Sequence, residues 1–255
     1  MKGLILAGGR ATRLRPLTYV TNKHLLPVYQ KPMIYYSLEA MRRAGVQDVL
    51  ITTNPEHAGD FINLLRSGAD FGLRLSYEIQ DDSVGGIAQA IGLAESFTGS
   101  DKLLVLLGDN IFTHDLSGAV KVFERRPKGA MIFGKEVEHP EHYGVIELRD
   151  DGRVKSIVEK PKRPKGNLAQ TGVYLYDNRV FDFARKLKPS DRGELEVTDL
   201  NNVYVKEGTM KVEVMDGYWI DAGTSADELL AAGNRVAELK EYFAGSQPGG
   251  KKRIA

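Results

Sequence analysis

Residues 103–110 read LLVLLGDN. Five apolar residues in succession leave no polar face, so Leu103–Leu107 is expected to be a strand covered on both sides, the habit of a parallel sheet between helix layers. The glycine that follows ends the strand and sets Asp109 at its carboxyl end. Residues 2–9, KGLILAGG, repeat the design, with an apolar run stopped by Gly8 and Gly9.

Working outward, strand and helix patterns alternate. Helical spacing over Met33–Ala44 stops at Gly45, and Asp48–Thr53 is strand-like, which completes a β-α-β unit with Lys2–Ala7. Helical patterns follow near Glu56–Arg66 and Ile87–Phe97, with a strand near Leu73–Ile79 between them. After about Gly129 the strand candidates shorten, and RDDGR at Arg149–Arg153 signals a hairpin turn. A helix near Glu196–Glu207, a strand near Met210–Met215 and a final helix near Ser225–Phe243 complete the pattern, and GSQPGGKKRIA reads as a flexible tail. The sequence has no internal repeat and no linker rich in Pro, Gly or Ser. The expectation is an α/β chain: a single domain over 1–243, three-layered and Rossmann-like, with a mostly parallel, mixed central sheet, followed by the tail 244–255.

Charge is distributed unevenly. The 255 residues carry 35 Lys and Arg against 34 Asp and Glu, a net charge of +1, yet Met1–Leu38 holds six of the basic residues and no acid. A neutral chain with one local basic stretch lacks the extended face that nucleic acid or a membrane surface requires, so a small polyanion is the expected partner. With no cysteine there is no disulfide framework and no thiolate metal site. The apolar run after Lys2 is too short for a signal-peptide core and nothing approaches the ~20 apolar residues of a membrane span, which makes the expected location cytoplasmic.

The basic stretch has a physical reading. Gly8 and Gly9 allow the backbone to approach a ligand and to cradle phosphate oxygens with amides at the mouth of the sheet. Arg10, Arg13 and Arg15 follow in one short loop, where guanidinium forks match phosphate geometry, and Lys23 offers a point charge farther on. A glycine pair alone reads equally as a turn, and loop arginines alone as solvated. Neither a G-x-x-x-x-G-K-[ST] nor a G-x-G-x-x-G motif occurs, which argues against a P-loop NTPase and a nicotinamide dehydrogenase. Asp109 in LLVLLGDN and Asp221 in YWIDAGT both follow apolar runs at strand ends. Two carboxylates converging on a phosphate loop suit Mg²⁺, which takes few protein oxygens together with phosphate and water. Either aspartate alone also reads as a helix cap.

The motifs LAGGRATRLRP, NKHLLPV, KPMIYY, LGDN, HYGV, EKP, TGVYLYD, RGELEVTD and WIDAGT, in this order, resemble the bacterial sugar nucleotidyltransferases, from about Lys2 to the last helix. Within that family the resemblance is strongest to members that transfer a thymidylyl group to glucose 1-phosphate. It implies the nucleotidyltransferase fold, with a nucleotide-binding part at about 1–128 and a smaller β-rich sugar-binding part at about 129–243. It also implies attack of a sugar 1-phosphate oxygen on the α-phosphorus of dTTP, with Mg²⁺ as cofactor. Uridylyl transfer from UTP and a catalytically silent nucleotide-sugar sensor are the alternatives.

By the same resemblance, Arg13, Lys23 and Asp109 are catalytic. Leu6, Ala7, Gly8, Gly9, Arg13, Gln80, Gly86 and Asp109 hold the nucleotide. Tyr143, Gly144, Glu159, Lys160, Thr171, Gly172, Val173 and Trp219 hold the sugar phosphate, and Asp109 and Asp221 the metal. Without the family, EKP is a solvated charge pair and Trp219 a core residue. The segment QDDSVGGIAQA is one residue longer than the family pattern, and Gln170 stands where a small apolar residue is common. Longer members continue past the last helix, so the chain resembles the short form, and a homo-oligomer is expected.

Overall fold

The computed structural model describes residues 1–9, 11–80 and 85–244. The expected tail therefore lies outside the described residues, apart from Ala244, which ends the last helix.

In chain order the elements begin with strand β1 (Lys2–Ala7), a short hairpin of β2 (Pro27–Val28) and β3 (Lys31–Pro32), helix α1 (Ile34–Arg43), strand β4 (Asp48–Thr53) and helix α2 (Ala58–Leu65). Strand β5 (Arg74–Ile79), helices α3 (Ile87–Gly92) and α4 (Glu95–Thr98), strands β6 (Leu103–Leu107) and β7 (Asn110–Phe112), and helix α5 (Ser117–Glu124) follow. Next come β8 (Ala130–Glu136), β9 (Gly144–Leu148), β10 (Val154–Glu159), β11 (Leu168–Tyr176), α6 (Val180–Lys186) and α7 (Val197–Lys206). The chain ends with β12 (Met210–Val214), β13 (Trp219–Asp221), α8 (Ala226–Glu238) and α9 (Lys240–Ala244).

Strands β5, β4, β1 and β6 lie side by side and parallel in a nine-stranded sheet. As their apolar runs predict, β1, β4 and β6 are covered on both faces, whereas β5 is a largely exposed edge strand. Leu4, Leu6, Leu103 and Val105 pack with Ala88, Ile91, Val180 and Leu200 from α3, α6 and α7. Ile5, Ala7, Leu104 and Leu106 pack on the other side with Leu38, Phe61 and Phe123 from α1, α2 and α5.

Strand β11 joins the two parts of the sheet. One edge pairs with β8, antiparallel, from Leu168 to Tyr176, with a shift in register between Gln170 and Tyr174. The other edge is shared: Val173–Tyr176 pair antiparallel with β6, while Ala169 pairs with Val145 of β9. The sheet forks between these two partners, at Gln170, Thr171 and Gly172. Strands β9 and β10 form the expected hairpin around Arg149–Arg153, and β12 extends the sheet beyond β8.

Two expected helices are each divided. The pattern over Ile87–Phe97 forms α3 and α4, separated at Leu93 and Ala94 just after Gly92, a residue with little helix propensity. The last helix breaks at Leu239, and α9 turns Phe243 edge-on against the buried Tyr36, 5.2 Å between ring centroids. Among the described residues no helix is long and apolar enough to cross a membrane.

Candidate functional site

In the order β4-β1-β6 the chain leaves β1 in one direction to reach β4 and must cross to the other side to reach β6. This is a topological switch point, and the crevice outside its carboxyl ends is where open α/β sheets bind ligands. Gly8 and Gly9 follow β1 there, and Asp109 follows β6. A cleft of about 370 Å³ opens at this place and runs from the glycine loop to the fork of β11.

One wall carries the charged groups. Asn22 Nδ2 donates to the carbonyl of Ala7 at 3.0 Å, which ties the segment after the arginine loop to the end of β1. Asn22 Oδ1 accepts from His24 N at 3.0 Å and faces His24 Nδ1 at 2.7 Å, so the imidazole carries its proton on Nδ1. Burial, and then the adjacent Lys23, push His24 down from its ordinary 6.5 to about 3, and the ring is neutral. The turn so fixed directs Lys23 Nζ onto Asp109 Oδ2. Burial opposes the ammonium charge, but Asp109 and Asp221 outweigh it and hold Lys23 above its usual range.

The two aspartates titrate apart. Burial drives Asp109 up, but Lys23 overrides it and leaves the carboxyl at about 2. Asp221 is pushed up to about 6, first by burial and then by repulsion from Asp109. They are neighbours because β13 pairs antiparallel with β7, Asp221 opposite Asn110, while Ala222 N donates to the carbonyl of Asp109 at 3.0 Å. Gly223 closes against both charges: a Cβ there would stand 2.4 Å from Asp109 Oδ2 and 2.6 Å from Lys23 Nζ.

Asn110 connects this wall to the fork. Its Oδ1 accepts from Gly172 N at 2.9 Å and from Trp219 Nε1 at 2.7 Å, and its Nδ2 donates to Asp109 Oδ1 at 3.1 Å. A side chain thus satisfies the Gly172 amide where β11 has left β6. The site cannot spare a larger residue at 172, since a Cβ would lie 2.7 Å from Asn110 Cγ and from Leu107. Neither Asp109 nor Asn110 caps a helix; Asn110 opens β7.

The opposite wall comes from the β-rich part. Tyr143 stands edge-on to Trp219, 5.4 Å between centroids. Lys160 adopts a positive φ of 41° while its N–H binds the Tyr143 carbonyl at 3.0 Å. A left-handed lysine costs about 1–2 kcal/mol and marks a side chain held for a purpose. Glu159 accepts from Thr198 Oγ1 at 2.6 Å, and Arg192 bonds Glu196 at 2.7 Å while standing 3.6 Å from Glu159.

Of the residues singled out from sequence, Leu6, Gly8, Gly9, Arg13, Lys23, Gln80, Gly86, Asp109, Tyr143, Gly144, Glu159, Lys160, Thr171, Gly172, Trp219 and Asp221 all line this one cleft. Gly86 has φ +116°, and a Cβ would fall 2.4 Å from the Leu195 carbonyl oxygen. Gln80 binds Gln89 Oε1 at 2.6 Å, with its own Oε1 against Gly8. Ala7 and Val173 are fully buried and their side chains do not line the cleft, because both turn into the core below; Ala7 gives its carbonyl to Asn22. Arg15 lies over the Tyr19 ring at 5.2 Å and is not among the lining residues, and Arg10 lies outside the described residues. His24, Asn110, Gln170, Arg192 and Glu196 also line the cleft and were not assigned from sequence. The motifs NKHLLPV, LGDN and RGELEVTD contain four of them, but their roles depend on contacts across the fold.

The comparisons agree with this geometry. The family model described as nucleotidyl transferase matches residues 2–238. A glucose-1-phosphate thymidylyltransferase of Neisseria meningitidis is 47% identical over 88% of this chain and 78% of its own. That of Mycolicibacterium smegmatis is 44% identical over 100% of this chain and 88% of its own. Among solved structures, a candidate glucose-1-phosphate thymidylyltransferase from Bacillus anthracis in complex with sucrose superposes with a TM-score of 0.87 at 46% identity, over 92% of this chain and 94% of that one. A UDP-glucose pyrophosphorylase complexed with UDP-glucose gives 0.80 at 26% identity, over 93% and 98%. On these matches the chain belongs to the nucleotidyl transferase family.

Proposed function

We propose that the protein transfers a thymidylyl group from dTTP to glucose 1-phosphate, giving dTDP-glucose and pyrophosphate. The observation that carries this reading is the single cleft joining the glycine loop, Arg13 and Lys23 to Glu159, Lys160 and Tyr143 across the fork of β11.

A phosphate oxygen of glucose 1-phosphate attacks the α-phosphorus of dTTP. The new P–O bond forms as the bond to the β-phosphate breaks, and pyrophosphate leaves with that electron pair. The nucleophile is already anionic, so no general base is required, and rate comes from alignment and charge neutralisation. Gly8 and Gly9 receive the triphosphate with backbone amides, Arg13 offsets charge on the departing pyrophosphate, and Lys23 stands at the reacting phosphates. Gln80 and Gly86 take the base. Glu159 accepts hydroxyl protons of the sugar, Lys160 meets its phosphate, and Tyr143 with Trp219 makes an apolar side.

The donor set fits Mg²⁺. Two buried carboxylates face one ammonium, and the Asp109 repulsion that adds to burial in raising Asp221 is relieved by a second positive charge. Hard oxygens from Asp109 and Asp221, with phosphate and water, meet its preference. Asp109 and Asp221 would hold it, and when bound it would supply positive charge that lowers the repulsion between the phosphates. Substrates of this kind support a cytoplasmic location for the reaction.

The test is pyrophosphate release with glucose 1-phosphate and Mg²⁺, with dTTP, UTP, CTP, ATP and GTP in parallel, beside Asp109→Asn and an EDTA control. Release led by dTTP and lost in both controls is expected. Preference for UTP, or none with any nucleotide, overturns the proposal.

A further inference from the structure

The Gln170 side chain occupies the fork of the sheet without a part in the chemistry described above. It is 8% exposed and lines the cleft. Its amide is oriented from beneath by a buried relay. Tyr176 O–H donates to Asn201 Oδ1 at 2.6 Å, which turns Asn201 Nδ2 outward to donate to Gln170 Oε1 at 2.8 Å. Tyr176 and Asn201 are both fully buried, so no water replaces either bond without disturbing the core.

With Oε1 committed to Asn201, the Nε2 group faces the other way. It lies 3.3 Å from where a Cβ on Gly144 would sit, and Glu159 Oε2 and Thr198 Oγ1 are at 3.4 Å and 3.3 Å from the same point. The absence of a side chain at Gly144 leaves this corner open to a ligand. An amide nitrogen carries two N–H donors, and the neighbouring Tyr174 hydroxyl takes no more than one, so at least one donor remains to face the cleft. Glu159 accepts and Gln170 donates, side by side.

We propose that the Gln170 side chain is a specificity-determining residue of the sugar subsite, held by the Tyr176–Asn201 relay to donate an N–H to one hydroxyl of the sugar 1-phosphate. This rests on the function proposed above. A site built to hydrogen-bond a substrate hydroxyl rejects the analogue that lacks it, because its own polar group is then left without a partner.

The experiment measures kcat/KM for glucose 1-phosphate and its 2-, 3-, 4- and 6-deoxy analogues with unaltered protein and Gln170→Met, at saturating dTTP and Mg²⁺, together with the KM for dTTP. Loss of one neutral hydrogen bond corresponds to about threefold to tenfold. Gln170→Met is expected to lose that much on glucose 1-phosphate through the sugar-phosphate KM, to equal the unaltered protein on one deoxy analogue, and to keep its dTTP KM. Gln170→Glu retains the acceptor for Asn201 and so guards against misfolding. At the same ring position it is expected to reject the deoxyfluoro analogue, an acceptor that the amide tolerates and a carboxylate repels. An equal loss on every sugar phosphate, a parallel rise in the dTTP KM, or no loss at all overturns the inference while the proposed function stands. Absence of turnover by the unaltered protein refutes both.

Discussion

Replacing Asn110 by alanine removes one acceptor on which a buried donor, Gly172 N–H, and a half-buried one, Trp219 Nε1–H, depend. Asn110 is 2% exposed, and its Oδ1 receives Gly172 N–H and Trp219 Nε1–H. Each donor left without a partner costs ~1–3 kcal/mol, which sums to ~2–6 kcal/mol. Water entering the vacated volume recovers part of this, so Asn110→Ala is expected to lose about 2–4 kcal/mol, a large share of the ~5–15 kcal/mol typical of a domain. Urea unfolding followed by far-UV circular dichroism measures it. Trp219 is the only tryptophan in the chain, so its fluorescence reads the site while dichroism reads the whole fold. Its emission is expected to move to longer wavelength in the native variant. Asn110→Asp separates the two duties of the side chain. It keeps the acceptor, so both donors stay paired, but sets a second carboxylate where Nδ2 met Asp109 Oδ1 at 3.1 Å. That repulsion raises the new group's folded pKa above its unfolded one, so the variant regains stability as pH falls through the folded value. Asn110→Ala has no such recovery. An alanine variant within about 1 kcal/mol of the original, with unchanged Trp219 emission, refutes the role assigned to Asn110 in holding the fork.

Three further outcomes are expected. Gly223→Ala places a methyl group against Asp109 Oδ2 and Lys23 Nζ, and is expected to lower kcat at least tenfold with little change in urea midpoint; retained kcat would show the ion pair to be dispensable. His24 is held at about 3 in the folded protein against 6.5 when free, so its contribution is complete above pH 6.5 and is lost as pH falls towards 3, because the unfolded chain takes the proton first. Unfolding free energies from urea titrations at pH 4, 5, 6 and 7 are expected to fall by up to ~1.4 kcal/mol per pH unit more than in His24→Gln, and identical slopes would refute a neutral, buried ring. Gly8→Ala drives a Cβ to 2.3 Å from Gln80 Oε1, and is expected to raise the nucleotide KM and spare the sugar-phosphate KM; the reverse split would place Gln80 elsewhere in the reaction.

The parallel half of the sheet was legible because its residues report their surroundings directly. LLVLL and GLILA have no polar positions, and only a strand with helices over both faces accepts that. The glycine pair and Asp109 were then fixed in place by being next in sequence. The other wall was legible only through resemblance, since EKP and HYGV have no periodicity that aims them anywhere, and Lys160 reaches the cleft through a left-handed backbone that no propensity favours. Ala7 and Val173 show what a motif leaves open: it marks a stretch, but their side chains turn into the core and away from the cleft. His24 and Asn110 stayed hidden, and Gln170 stood out only as a departure from the family pattern, because their partners stand at other strands and helices, and only the fold brings them to one cleft.

The fork also explains why the two parts belong to one folded unit. A strand that paired with β6 along its whole length would hydrogen-bond through Gly172 and close the cleft. Here the Gly172 amide is satisfied by a side chain, and the strand continues past the gap to pair with β9. The same nine residues, Leu168–Tyr176, therefore carry Tyr174 in the core beside the nucleotide strands and Gln170 beside Gly144 of the β-rich part. In the proposed reaction, two substrates on either side would be positioned by one buried strand, and their separation would follow from its rigid rise rather than from a flexible linker. For a reaction that needs no general base, that fixed separation supplies alignment before any charge moves.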